Sequence, residues 1–311
     1  MLRTTVLLSS FFLSLQTIIA QGCSDAGFCT MGAMRPDQDY SKRIDLKLRS
    51  ISYNYYRGKT NISPLVVAHT VDVNLTLNDL NTIQIKLPYQ SVEGNLGSTS
   101  GLGDISLSVT RFIKRMRGGD LQATAGLKLP TGNSTIEDAN GRDFPMYYQT
   151  TLGTFDLVAG ASWINENWLL ATGIQIPLNA NGNEFRLSEW PEYPDPNYLA
   201  KNNPAFNLKR GTDVMLRVER NFRYLNWNFS LGLLPIWRIN RDKILDENTG
   251  EYVKVDETRG LALSGLLGLG YQVNVRNGLK MIFGRQLKDR KVNPDGLTRR
   301  RVLSLSYIHR F

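Results

Sequence analysis

From residue 42 to residue 311 the chain alternates apolar and polar residues in short runs. Ile44, Leu46 and Leu48 alternate with Asp45, Lys47 and Arg49. The phase then slips by one at Ile51, Tyr53 and Tyr55, which predicts a β-bulge. Val67, Val71, Val73, Leu75 and Leu77 continue the pattern, followed by Ile83 to Tyr89, Ile105 to Val109 and Leu121 to Leu129. A longer segment over residues 144–163 ends at Trp163, and Trp168 to Leu178 follows it. The second half repeats the theme at Val214 to Val218, Leu225 to Leu233, Leu261 to Tyr271 and Leu279 to Leu287. The last stretch, 301–311, puts Leu303, Leu305, Tyr307 and Phe311 on one side and Ser304 and Ser306 on the other. Period-two segregation of this kind predicts strands with one oily face.

The connections alternate in length. Short turns are predicted at Asn78-Asp79, Arg117 to Asp120, Asn165 to Asn167, Asn221 to Tyr224 and Arg276 to Gly278. Longer loops are predicted over 91–103, 131–143, 179–211, 239–258 and 288–298, with Arg57 to Asn61 the shortest of that set. About twelve strands joined this way, each near the length of a tilted crossing, predict an all-β transmembrane antiparallel barrel in the bacterial outer membrane. Its short turns would face the periplasm. Trp163, Trp168, Tyr224, Trp227, Tyr271 and Phe311 suit one interfacial girdle, and Tyr53, Tyr55, Tyr89 and Trp237 the other.

Composition agrees. Hydrophobic residues make up 41% of the chain, and no segment beyond the N-terminus approaches the apolar length of a helical span. A barrel hides its membrane character because only alternate residues meet lipid. Residues 1–20 carry Arg3 and then an apolar run broken by serines, which reads as a secretory signal peptide cleaved after Ala20. Cys23 and Cys29 follow it, so an oxidising compartment and a disulfide closing a small loop are expected. The formal charge is +9. No zinc spacing or basic helix points to nucleic acid. An anionic ligand, or outer-membrane lipid with its anionic lipopolysaccharide head groups, suits that charge better.

The words Gly101-Leu-Gly-Asp-Ile-Ser-Leu-Ser-Val-Thr110 and Leu127-Lys-Leu-Pro-Thr-Gly132 resemble the phenol meta-pathway family of outer-membrane proteins, and the terminal strand resembles the closing strand of outer-membrane barrels. The first resemblance implies a channel in the style of hydrocarbon and fatty-acid transporters. It also implies that residues 21–41, which lack alternation, form a periplasmic or plug segment before a barrel over 42–311. A simple tail is the other reading. The start Gly22 to Cys29 has no counterpart in that pattern, so the substrate does not carry over.

Strand phase points Lys47, Arg49, Asp72, Lys86, Lys128, Asp156, Arg217, Glu219 and Lys280 into the lumen, as selectivity charges or as a structural network. The loop from Asn181 to Arg210 carries Phe185, Trp190, Tyr193, Tyr198 and Phe206. These rings suit either capture of an apolar ligand or a small cluster of the loop's own. Four strands end in similar proline words, at Pro88, Pro130, Pro177 and Pro235. Proline marks strand ends, or a gap through which a ligand could leave sideways. His69 and His309 are the only histidines, and neither has a defensible nucleophile partner, so no enzyme is expected. No cofactor and no metal site is implied. The sequence thus predicts a channel for passive uptake of small molecules, apolar ones among them. A partner barrel in an envelope complex and a mildly anion-selective pore are the alternatives.

Overall fold

The computed structural model describes residues 31–34 and 47–311. The expected signal peptide, the Cys23–Cys29 pair and most of the expected plug segment lie outside the described residues. The strands are β1 (Lys47–Lys59), β2 (Leu65–Asn78), β3 (Asn81–Gly94), β4 (Gly97–Leu102), β5 (Ile105–Met116), β6 (Gly119–Leu129), β7 (Asp156–Ile164), β8 (Trp168–Pro177), β9 (Asp213–Tyr224), β10 (Trp227–Arg238), β11 (Lys243–Leu245), β12 (Tyr252–Lys254), β13 (Gly260–Gln272), β14 (Asn277–Lys288) and β15 (Arg301–Arg310). Each wall strand pairs antiparallel with its neighbours in sequence, and β1 pairs with β15. The sheet therefore closes on itself. With β4 standing above β5 as an extension, the wall is a 12-strand barrel, while β11 and β12 form a separate hairpin in a loop.

Closure explains the alternation. Inward residues such as Ser50, Ser52, Thr70, Asn74, Gln84 and Ser106 reach the lumen, and outward ones such as Val71, Leu107, Leu231, Leu267 and Leu305 are exposed. The predicted slip near residue 50 is a bulge at Arg49, between Leu48, opposite Leu75, and Ser50, opposite Asn74.

Several boundaries differ from the sequence pattern. The loop expected over 91–103 is mostly the β3–β4 hairpin. The turn expected at Asn221 to Tyr224 falls at Leu225-Asn226, because Asn221 stays in β9 with its side chain buried in the lumen. Gly278 already lies in β14, and the preceding turn spans 273–276. The largest difference is the strand expected over 144–163, which begins only at Asp156. Residues 144–152 instead fold inward as buried loop, from Phe144 to Leu152.

Candidate functional site

The inward faces enclose a cavity of about 230 Å³. One side of it is polar, with Ser50, Ser52 and Asn54 from β1, Thr70, Asp72 and Asn74 from β2, and Gln84 and Lys86 from β3. Apolar residues adjoin it, with Leu234 from β10, Leu266 from β13 and Ile282 from β14, while on β15 Val302 and Ile308 share the cavity with Ser304 and Ser306, and Ile308 stands beside Ser52 of β1. The alternation concealed these apolar lumen residues. In Leu261 to Leu269 both strand phases are apolar, and Leu266, out of phase with the lipid-facing leucines, was the available signal.

The other half of the lumen is filled. A 3-10 turn over Gly32–Met34 lies against the inner faces of β5 to β8. Met31 and Met34 are buried there, in one cluster with Val158, Ile164, Leu169, Met215, Leu234 and Leu266. Met34 Sδ fits over Gly160 and Gly173, where a Cβ at either residue would collide with it. Gly32 has φ +48° and is pressed against Thr110 and Thr124. Its backbone N–H donates to Gln84 Oε1 at 2.7 Å. The turn therefore reaches from the β5–β8 wall across to β3.

Loops pack over the end bearing the long connections. Phe144, Tyr148, Phe185, Trp190 and Leu199 form a buried cluster with Val66 and Val92 of the wall. Trp190 lies 5.9 Å from Phe144 and 6.3 Å from Tyr193, ring to ring, with the Arg142 guanidinium 4.1 Å above it. Tyr198 exchanges a 2.7 Å hydroxyl bond with Tyr148, and Phe206 stacks under Arg186. The rings expected to catch ligand are thus turned on one another and on the wall.

Beneath this cluster lies a buried ionic knot. Arg238 holds Asp213 at 2.7 Å, Asp242 at 2.8 Å and Asp295 at 2.7 Å. Arg210 meets Asp156 at 3.4 Å, Asp213 at 3.3 Å and Asp295 at 3.4 Å, and Arg290 adds a contact to Asp295 at 3.5 Å. The knot ties the loops over 178–212 and 289–300 to the ends of β7, β9 and β10. Burial raises the Asp295 carboxyl, but the guanidiniums of Arg238, Arg290 and Arg210 outweigh it and hold the group far below the usual carboxylate range. A second tie joins Lys128 to Asp104 at 2.8 Å, and Asp104 also accepts from the Thr151 hydroxyl.

All the expected lumen charges except Arg49 lie in the inward phase. Asp72, Lys86, Lys128, Arg217 and Lys280 line the cavity. Asp72 stands opposite Lys86, 3.8 Å away, and Arg217 pairs with Glu219 at 3.2 Å. Asp156 belongs to the ionic knot. Lys47, opposite Thr76, stands exposed at the lower mouth, and Arg49 occupies the bulge, where alternation assigns no face. Sequence reading missed Arg210, Arg238, Asp242 and Asp295, which sit in loops or at a strand end, beyond the reach of a periodicity argument. The pair Asp213–Arg238 lies in mutual register and could have been found by extending the phase of Arg217.

Among the prolines, Pro130 follows the end of β6 and Pro177 ends β8. Pro88 and Pro235 stand within the wall. The β3–β5 ladder ends at Lys86–Ser106 and resumes with β4 at Tyr89–Leu102. Pro88, Gly103 and Asp104 fill that break and line the cavity.

A closed sheet with an oily outer belt and a largely hydroxyl- and amide-bearing interior has one environment that suits both faces. The chain is an outer-membrane β-barrel. No family model and no curated protein sequence matches it. Its fold is similar to that of an outer membrane channel from Pseudomonas putida F1, at 16% identity and a TM-score of 0.61, covering 88% of this chain and 99% of that one. At that identity the likeness concerns fold alone. More distant are the NanC porin (7% identity, TM-score 0.46, covering 85% of this chain and 99% of that one) and the outer membrane phospholipase of Salmonella typhi, solved as a dimer with bound calcium (11% identity, TM-score 0.40, covering 88% and 94%). Scores that low carry no argument about the barrel.

Proposed function

We propose that the barrel is a channel for passive uptake of small molecules that have an apolar body and a polar end. The observation that supports this most is the cavity in which Leu234, Leu266, Ile282 and Val302 stand among serine, threonine and amide side chains. A purely aqueous pore gains nothing from a leucine and isoleucine surface in its lumen, whereas an apolar ligand does. The ligand enters past the knotted loops, lies against these apolar side chains and turns its polar end toward Asp72, Lys86 or Lys280. The turn at Met31–Met34 narrows the way downward and acts as a plug. The step at Pro88 and Gly103-Asp104, where one backbone hydrogen bond from Gly103 N–H to Pro88 O at 2.9 Å holds the wall, is where a sideways exit into lipid would open.

Equilibrium binding of an apolar fluorophore to the purified barrel tests the reading. Leu266→Asp is expected to weaken binding by about tenfold, a loss of about 1.4 kcal/mol, while leaving heat-modifiable gel mobility in place. An unchanged affinity, together with a large steady single-channel current, would instead favour an aqueous pore.

A further inference from the structure

Down the outer face of β5, exposed Leu107 and Val109 give way to Arg111 and Lys114. Their direction follows from register. Thr110 is buried in the lumen against Thr124 and Gly32, so Arg111, between Asn81 of β3 and Ala123 of β6, points outward. A bulge at Ile113 resets the phase. Lys114 then stands opposite Leu121, and Leu121 opposite Trp163 of β7. Ser162 and Ile164, on either side of Trp163, are buried, so this row is outward as well. The hairpin closes through Arg117-Gly118, with Met116 paired to Gly119. Arg111, Lys114 and Arg117 are all exposed.

This hairpin projects past its neighbour. β3 begins at Asn81, opposite Arg111, and the last bond from that side runs from Phe112 N–H to Leu80 O at 2.7 Å. Below it no described strand pairs with β5 on the β3 side. The hairpin's own acid is engaged, because Asp120 meets Arg115 at 3.6 Å. Among the described residues no ion pair joins Arg111, Lys114 or Arg117 to a carboxylate, Asp79 and Glu166 of the flanking turns included. Exposed apolar side chains share the corner: Leu77 and Leu80 beside the β2–β3 turn, and Ile113 and Met116 in the hairpin. The turn itself is unusual. Its φ angles are +51° at Arg117 and +72° at Gly118. A two-residue turn with left-handed backbone at both positions favours Asn-Gly. The chain instead holds a long cation where L side chains are strained, and strain of this kind points to use.

We infer that the outer face of the β5–β6 hairpin binds an anionic phospholipid of the inner leaflet. Short turns of such a barrel face the periplasm, so the hairpin ends among the head groups of that leaflet. The lipid phosphate lies on Arg111, Lys114 and Arg117, whose apolar stems run along the wall while their charged ends reach the head groups. Guanidinium groups suit the task because they grip phosphate oxygens through paired N–H donors. The acyl chains lie on Leu107 and Val109 above. The site is continuous with the lipid-facing belt, and this favours a lipid over a soluble protein. Its occupant must offer hydrocarbon to Val109 and negative charge one outward position lower.

Delipidated full-length barrel, offered phosphatidylglycerol or phosphatidylethanolamine with identical acyl chains, tests this by native mass spectrometry. Retention of phosphatidylglycerol about tenfold above phosphatidylethanolamine is expected. Arg111→Gln with Lys114→Gln should abolish that preference. Arg117→Asn should weaken it without lowering thermal stability, because asparagine suits the turn. Arg223→Gln with Arg276→Gln, at other turns of the same rim, should keep it. Heat-modifiable mobility verifies folding, and Arg117→Asn alone serves if the double variant does not fold. Equal retention of the two lipids overturns the site, as does a preference that survives these changes at Arg111, Lys114 and Arg117. Loss of the preference in the Arg223–Arg276 variant overturns it too, by showing a diffuse effect of charge. Displacement of the lipid by millimolar inorganic phosphate, or carbodiimide cross-linking of Lys114 to a second copy or a periplasmic protein in intact envelopes, gives the hairpin another occupant and has the same consequence.

Discussion

At the scale of single residues, the lumen is shaped by side chains that are missing as much as by those present. Gly160 and Gly173 leave the hollow that Met34 fills, and Gly126 does the same for Met31. Burying two methionines contributes on the order of 3–6 kcal/mol toward holding the turn in place. Gly160→Val would overfill this hollow at a cost of about 1–3 kcal/mol. The expected result is a displaced turn and a larger, noisier current in planar bilayers, with gel mobility unchanged. Residues of this kind are hard to read in a sequence. Ser304 and Leu305 announce their faces because two solvents sort them. Gly160 announces nothing until Met34 is known to lie above it, and that neighbour is remote in sequence.

At the scale of elements, strands and loops were unequally legible. A wall strand repeats its signal every second residue, so β2, β5, β10 and β15 stood out. The segment from Phe144 to Leu152 is as apolar as a strand, yet it packs inside the barrel under Trp190 and Phe185. Hydrophobicity alone therefore lengthened β7 in error. The ionic knot was invisible for a related reason: its members come from strand ends and separate loops that meet only after closure. Arg238 is its centre. Arg238→Met strips Asp242 of its guanidinium and leaves Asp213 and Asp295 to Arg210 and Arg290 alone, at a cost of about 3–5 kcal/mol. Protease is expected to cut the 178–212 loop in the variant while the barrel survives, and survival of that loop intact would mean that the aromatic cluster alone holds it. Acid should have little effect on the same lid. Asp295 is depressed, so its contribution is present above the usual carboxylate range and is lost only as pH falls through its much lower folded value. Asp138, paired with Arg142, is lowered to about 2 and behaves alike. Burial raises Asp242, and that sign makes the folded lid gain rather than lose stability as protons bind there. Protease protection of the loop is therefore expected to be equal at neutral pH and at about pH 4, and to fail only near the low folded values.

At the scale of the whole molecule, the outer belt defines the solvent. Leu231, Leu233, Leu267 and Leu305 are each about half exposed or nearly so on a face that water would penalise. Leu267→Arg, at mid-strand in β13, should destabilise the barrel in lipid vesicles by about 2–4 kcal/mol. Urea unfolding measures this, and a change below about 0.5 kcal/mol would be the mark of an ordinary water-facing surface. Closure has one more consequence. β1 hydrogen-bonds β15 along nearly its whole length, from Ser50–Arg310 to Lys59–Arg301. Until β15 docks, β1 and β14 both stand bare along the edges that it covers in the closed barrel, so open molecules can capture one another's β15 as readily as their own and must be kept apart until each has closed.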